Sequence, residues 1–193
     1  YKRLKSLRNS KADPRNFGKD LVRFNYESRE DMFDGVSYNK GGGILHMLRN
    51  YLGDEAFFAG LSDYLKTNEY GTGEAHQLRL SLEKVSGKDL NWFFNQWYFG
   101  SGYPKLEVSS TYDAMKKQVT VSVAQTQDQK FEFPLAIDVL ENGKISRKEV
   151  LVTAKAKNDF VFDVTKNPEL INANPEGLLL SDIKQDKTPE QLY

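Results

Sequence analysis

The sequence predicts an α+β protein of two domains, a helical domain followed by an antiparallel β-sandwich. Two observations predict this fold class. Apolar residues recur every three or four positions over residues 38–99, which is the spacing of amphipathic helices. After Pro104 they alternate with polar residues, which is the spacing of half-buried strands. Because the period changes at residues 101–104, we assign residues 1–102 to the first domain.

Four helices account for the first pattern. The apolar face of the first helix ends at Leu52, and Gly53 follows as a C-cap signal. Asp54 and Asp89 are expected to cap the second and fourth helices, and the third should begin near Glu74. Their apolar faces contain Phe57, Leu61, Tyr64 and Leu65; Leu78, Leu82 and Val85; and Leu90, Phe93, Phe94 and Trp97. Residues 1–9 are basic and are also expected to form a helix, whereas residues 10–35 should be irregular.

Short strands separated by turns account for the second pattern. Alternation near Leu106 and over residues 119–123 and 131–139 predicts the first strands. Asn142-Gly143 predicts a type I′ hairpin turn, with strands over 145–153 and 159–164 after it. This succession is typical of a β-sandwich, which we place at residues 103–183. Residues 184–193 should form a polar tail that leads to a following domain, with a helix start at Thr188-Pro189-Glu190.

The composition excludes several classes of partner. The chain has 193 residues with 27 basic and 27 acidic side chains, so its formal net charge is 0. A neutral chain lacks the basic excess that nucleic acids and anionic membranes attract, and no apolar run approaches the ~20 residues of a membrane span. The chain starts at Tyr1 rather than at a Met, which suggests that it is a piece of a longer protein. The cysteine-free composition, rich in Asn and Lys, suggests an exported or periplasmic bacterial protein without fixing the compartment.

The segment from Phe33 to Gly43 is the most unusual in the chain. It contains three consecutive glycines, each of which costs about 1 kcal/mol relative to alanine inside a helix. Either another backbone approaches closely there, or the segment borders a cleft that larger side chains would fill. Tyr38, within it, could anchor the fold by a hydrogen bond, stack on a ligand or donate a hydrogen bond to an oxyanion.

Other chemically interesting residues have simpler structural explanations. Of the two histidines, His46 is expected to be a core or surface residue with its hydrogen bonds satisfied. His76 is expected to be solvated. With no cysteine and distant histidines, the chain offers no zinc site of its own. Gln96-Trp97-Tyr98 with Gly102-Tyr103-Pro104 could form an aromatic platform for sugars, but the helical spacing of Phe93, Phe94 and Trp97 favours a core. The acidic pairs Asp31 and Asp34, and Asp54 and Glu55, are better explained by helix capping and solvation than by catalysis.

An ordered series of motifs resembles a known enzyme family. Ser37-Tyr38-Asn39-Lys40-Gly41 precedes a helix with Met47-Leu48, the turn Leu52-Gly53-Asp54 and Gln96-Trp97 before Gly102-Tyr103-Pro104. Over residues 32 to about 108 the series is similar to the zinc aminopeptidases of the gluzincin clan, the aminopeptidase N and leukotriene hydrolase family. The resemblance implies that residues 1–102 are the helical C-terminal half of a thermolysin-like catalytic domain, followed by that family's β-sandwich.

The resemblance implies one catalytic residue here, Tyr38. Its hydroxyl would hydrogen-bond the oxyanion formed while N-terminal residues are hydrolysed from peptides, and zinc would polarise the carbonyl and activate water. The zinc ligands, the general-base glutamate and the residues binding the substrate amine lie upstream in the family. No metal ligand or cofactor-binding residue is therefore assigned, and the chain alone is expected to be inactive and to pack against that missing catalytic half. Phe33 stands where many members have a second tyrosine.

A non-catalytic function is the alternative. Some relatives in such families have lost their zinc ligands and serve as scaffolds or binding modules, and the β-sandwich could also bind a ligand. The preceding sequence discriminates the two, because H-E-x-x-H with a downstream glutamate supports the peptidase and their loss supports the scaffold.

Overall fold

The computed structural model describes residues 19–185, which fall in two compact units. The first unit ends at Gly102 and the second begins at Tyr103. The first is helical and the second is built of strands, so the predicted α+β class is confirmed. The helix expected over residues 1–9 and the helix start at Thr188-Pro189-Glu190 lie outside the described residues.

Over residues 19–102, the helical unit contains two short helices and four α-helices. A 3₁₀-helix covers Arg29–Met32 and a π-helix Val36–Lys40; α1 covers Gly41–Leu52, α2 Asp54–Thr67, α3 Ala75–Ser86 and α4 Asn91–Trp97. The predicted apolar faces supply the core, whose buried members include Ile44, Met47, Leu48, Phe57, Leu82, Leu90, Phe93, Phe94 and Trp97. Leu65 and Val85 are exposed, so two of the predicted faces are shorter than their periodicity suggested.

The helix ends show which capping predictions were correct. Glu74 is the N-cap of α3, as expected. The predictions for Asp89 and Asp54 were wrong. Leu90 occupies the N-cap of α4, and Asp89, one residue earlier, accepts a hydrogen bond from the Asn91 amide at 2.8 Å. Gly53, with φ 84°, ends α1 and also occupies the N-cap of α2, so Asp54 becomes the first helical residue. Its carboxylate instead pairs with Arg49 through two 2.7 Å contacts.

Gly60 marks a close approach of two helices. A Cβ added to Gly60 in α2 would lie 2.6 Å from Leu82 Cδ2 and 3.1 Å from Leu82 Cα in α3. Although alanine is the better helix former, we expect Gly60→Ala to lower the free energy of unfolding by about 1–3 kcal/mol through overpacking. Denaturant unfolding measures this change. The matched control is Gly42→Ala in α1, where an added Cβ meets nothing within 4 Å and stability should rise by up to about 1 kcal/mol.

The described part of the second unit, which ends at Gln185, has seven strands in two sheets. They are β1 Lys105–Asp113, β2 Gln118–Gln125, β3 Phe133–Glu141, β4 Lys144–Val152, β5 Lys157–Asp163, β6 Leu170–Ala173 and β7 Asp182–Gln185. One sheet has the order β5-β2-β1-β7 and the other β4-β3-β6. Alternate residues of the central strands are buried and form the core: Leu106, Val108, Val119, Val121, Val123, Phe133, Leu135, Ile137 and Val139. Asn142 and Gly143, with φ 53° and 70°, form the expected hairpin between β3 and β4.

The last strand corrects two expectations from the sequence. Strand β7 pairs with β1 in parallel, so the sandwich is mixed rather than wholly antiparallel. Strands β2 to β6 lie between β1 and β7 in the sequence, so the chain between the two parallel strands is long enough to allow this direction. Lys184 and Gln185, assigned to the polar tail, are part of β7. The side-chain amide of Gln185 accepts a hydrogen bond from the backbone amide of Ala173 and donates one to Ile171 O at 2.6 Å. These bonds explain how a polar residue is accommodated at the end of β7.

Candidate functional site

Tyr38 lies on the π-helix that precedes α1. The wide turn is closed by the Gly41 amide, which donates to Val36 O, and the Tyr38 amide donates to Asp34 O at 3.1 Å. The Tyr38 side chain is 63% exposed, and its hydroxyl has no hydrogen-bond partner within residues 19–185. Its ring lies 6.1 Å from that of Phe33. The phenol is therefore not a buried anchor, and π-helical turns frequently occur at functional sites.

Asp34 organises the start of this helix. Its Oδ1 accepts a hydrogen bond from the Ser37 amide at 2.9 Å, and its Oδ2 lies 3.1 Å from Nη2 of Arg23. Partial burial raises the pKa of Asp34, but the Ser37 amide and the Arg23 guanidinium outweigh it and keep the pKa below its usual value. Asp34 thus remains a carboxylate that caps the helix carrying Tyr38. The sequence prediction of a capping role for Asp34 is correct.

Lys40, two residues after Tyr38, is completely buried. Its Nζ donates a 2.6 Å hydrogen bond to Lys19 O. Burial lowers the pKa of Lys40 to about 8, with Asp20 opposing the shift and Arg23 adding to it. In the sequence Lys40 stands out only as part of a motif, because nothing in a helical pattern marks a lysine as an interior residue.

The glycine run has two different explanations in the structure. Gly41 is buried, and an added Cβ would lie 3.3 Å from Leu21 Cδ1, so a side chain, rather than a backbone, approaches it closely. Gly42 is exposed and an added Cβ would meet nothing within 4 Å. Gly42 follows Tyr38 by four residues, and the surface at Gly42 is open.

The remaining candidates have structural roles. His46 is half-buried, and its Nε2 lies 3.3 Å from Asn50 Nδ2. Burial, and to a smaller extent the charge of Arg49, lowers the pKa of His46. His76 is largely exposed beside Glu74. Phe93, Phe94 and Trp97 are buried, which confirms their assignment to the core over the sugar platform. Asp31 Oδ2 accepts hydrogen bonds from the Glu27 and Ser28 amides, as expected of a capping residue.

Metal ligands are not gathered in the part of the chain that the structure describes. Within residues 19–185, no three His, Cys, Asp or Glu side chains lie close enough together to hold an ion. These residues therefore do not fit a catalytic zinc, which normally needs three protein ligands. No helix over the same residues is both long and apolar enough to cross a membrane.

Three exposed aromatic side chains precede Tyr38 in the sequence. Phe24 is 91% exposed and Phe33 71%, and more than half of Tyr26 is exposed. Single exposed apolar residues are ordinary, but these three lie within 15 residues that end at Tyr38. Arg23 lies in an irregular segment, where no periodicity in the sequence singles it out.

Comparisons with known proteins agree with the sequence motifs. The peptidase family M1 domain matches residues 9–97. Leucyl aminopeptidase of Saccharolobus solfataricus is 29% identical over 150 residues, which are 77% of this chain and 18% of that protein. Aminopeptidase N of Lactococcus lactis subsp. lactis is 29% identical over 165 residues, 80% of this chain and 19% of that protein.

A solved structure shares the fold. The crystal structure of Legionella pneumophila aminopeptidase A in complex with aspartic acid matches with a TM-score of 0.79 at 19% identity. The match covers 93% of this chain and 21% of that one. This chain spans about a fifth of the length of the relatives it matches. The motifs, the domain matched over residues 9–97 and the relatives together support a similarity of this chain to the peptidase M1 family, the gluzincin aminopeptidases.

Proposed function

We propose that this chain supplies an oxyanion-stabilising tyrosine, Tyr38, to a zinc aminopeptidase that hydrolyses N-terminal residues from peptides. The observation that carries the proposal is the exposed phenol of Tyr38, held on a π-helix inside the matched family domain. The relatives' names supply the reaction class, since those proteins are aminopeptidases.

The chemistry follows from the position of the phenol. When water attacks a peptide carbonyl, negative charge develops on its oxygen, and a fixed O–H donor stabilises that charge more than the ground state. The Tyr38 hydroxyl has no competing partner within residues 19–185, so its proton is available to the oxyanion. Phe33 has no hydroxyl, which leaves Tyr38 as the phenol donor of this segment.

The zinc ion is proposed to belong to a part of the protein outside this chain. In such enzymes the metal polarises the carbonyl and activates the attacking water. The described residues do not fit the ion, and no step assigned to this chain passes through it. The exposed side chains of Phe24, Tyr26 and Phe33 are proposed to pack against the catalytic half that carries the metal.

The test compares the 193-residue chain with the longer protein proposed to carry it. After dialysis, the chain alone should hold only substoichiometric zinc and should not hydrolyse aminoacyl p-nitroanilides. The longer protein should hydrolyse them, lose activity to a chelator and recover it with zinc. One tightly bound zinc per isolated chain would contradict the assignment of the ligands. A longer protein without H-E-x-x-H and without activity would instead support the scaffold alternative.

A further inference from the structure

An irregular segment fastens the helix that carries Tyr38 at both of its ends. We call residues 19–23 the strap; they form neither helix nor strand. Lys19 O accepts the hydrogen bond from Lys40 Nζ, after Tyr38, and Arg23 Nη2 pairs with Asp34 Oδ2, before it. Between these contacts, Leu21 lies against Gly41.

The strap is itself fixed to the core of the helical unit. The Val22 amide donates a 3.0 Å hydrogen bond to Tyr98 O, directly after α4. Tyr98 is buried and its ring stacks on Phe94 with centroids 4.3 Å apart. The strap therefore connects a rigid core element to the π-helix.

Arg23 acts on Tyr38 through Asp34. Asp34 Oδ1 caps the Ser37 amide, and Asp34 O accepts the amide of Tyr38 itself. The salt bridge to Arg23 restricts the Asp34 side chain to one orientation, and this orientation sets the first turn of the π-helix. The position of the Tyr38 phenol therefore depends on the geometry of that turn.

The incomplete pairing of Arg23 indicates a role in geometry. Its side chain is only 13% exposed, and Nη1 is buried without a hydrogen-bond partner in the described chain. Leaving a buried donor unpaired opposes folding, so a pair of this kind is poorly explained by stability alone. Its clearest structural consequence is the fixed orientation of Asp34.

We propose that Arg23 is a positioning residue for Tyr38, acting from the strap through Asp34. This proposal rests on the proposed function, because it assumes that the Tyr38 hydroxyl contacts the oxyanion. A small displacement of a catalytic donor lowers turnover sharply, since the donor must match the transition state.

A double-mutant cycle in the longer enzyme tests the proposal. Arg23→Met should lower kcat about tenfold with KM almost unchanged, and in the Tyr38→Phe background it should cause no further loss. Arg23→Lys, which keeps a donor and the charge, should restore most of kcat. Asp34→Asn, which keeps an oxygen for the Ser37 amide, gives a second route if Arg23→Met folds poorly, and should resemble Arg23→Met.

The matched control is Arg49→Met, which breaks another arginine–aspartate pair of the helical unit. Arg49 pairs with Asp54 and makes no contact with the π-helix, so kcat should be unchanged. If the losses from Arg23→Met and Tyr38→Phe multiply, or if only KM changes, the positioning role is overturned while the proposed function stands. If Tyr38→Phe keeps full kcat, the proposed function fails and the positioning role fails with it.

Hydrogen exchange tests the positioning role separately from the proposed function, because it does not depend on catalysis. In the 193-residue chain, Arg23→Met should speed hydrogen exchange of the Ser37 and Tyr38 amides, which bond to Asp34. Arg49→Met should leave both amides unchanged. Unchanged exchange in Arg23→Met would overturn the positioning role, whatever the activity of the longer enzyme.

Discussion

Tyr38→Phe in the longer protein should lower kcat by ~10²–10³ and leave KM nearly unchanged. The substitution removes one hydroxyl and almost no volume. A donor that acts mainly in the transition state contributes to kcat, and the loss corresponds to about 2.7–4 kcal/mol of transition-state stabilisation. Steady-state kinetics with a peptide substrate, expressed per folded molecule, measures the effect.

Stability should not change in this variant. The side chain is 63% exposed and its hydroxyl is unpaired within residues 19–185, so folding gains no hydrogen bond from it. Tyr70→Phe is the matched control, because Tyr70 is a fully exposed tyrosine 32 residues later, and its substitution should affect neither kcat nor stability. A Tyr38→Phe enzyme with intact zinc, unchanged kcat and a lowered melting temperature would mean that Tyr38 has a structural role.

Local patterns predicted the elements that depend on local physics. Helical periodicity predicted the buried faces of α1 to α4, and Asn142-Gly143 predicted the β3–β4 hairpin, because a two-residue turn with two positive φ angles fixes the register of its strands. These features are set by residues close together in the sequence. The catalytic role of Tyr38, taken from the motif around it, stays a prediction.

Contacts between distant segments could not be predicted in the same way. Lys40 reaches back 21 residues to Lys19 O, and Arg23 reaches forward 11 residues to Asp34. Lys19 and Arg23 lie in the strap, which has neither helical nor strand periodicity. No sequence pattern therefore links them to Lys40 and Asp34. Strand β7 was missed for a similar reason: it has four residues, and its parallel pairing with β1 depends on the path of a long connection.

The buried ammonium of Lys40 should make stability depend on pH in an unusual direction. Burial lowers its pKa from the ordinary 10.5 to about 8 in the folded protein, where Asp20 and Arg23 are the charged groups that influence it. The unfolded chain therefore binds a proton that the folded chain has lost, between pH 8 and 10.5. By linkage, the free energy of unfolding rises with pH over this range, and the full destabilising effect is present below pH 8.

Lys40→Met should remove this contribution. At pH 7 the variant is relieved of burying a charge but loses the hydrogen bond to Lys19 O, so the two effects oppose each other. As the pH rises from 7 to 10.5, the variant should become less stable relative to the unmodified chain by about 3 kcal/mol, which is the linkage value of the shift. Denaturant melts at a series of pH values give this difference, in which the titration of other lysines and tyrosines cancels.

Lys88→Met provides the control for a lysine that donates to a carbonyl without being buried. Lys88 Nζ bonds Tyr51 O at 2.9 Å from an exposed position, so its substitution removes a hydrogen bond to a carbonyl without relieving a buried charge. A Lys40→Met difference that stays flat from pH 7 to 10.5 would show that the ammonium reaches water in the folded protein. The contact between Lys40 and the strap would then be a solvated hydrogen bond, and the end of the π-helix after Tyr38 would be held less firmly than its burial indicates.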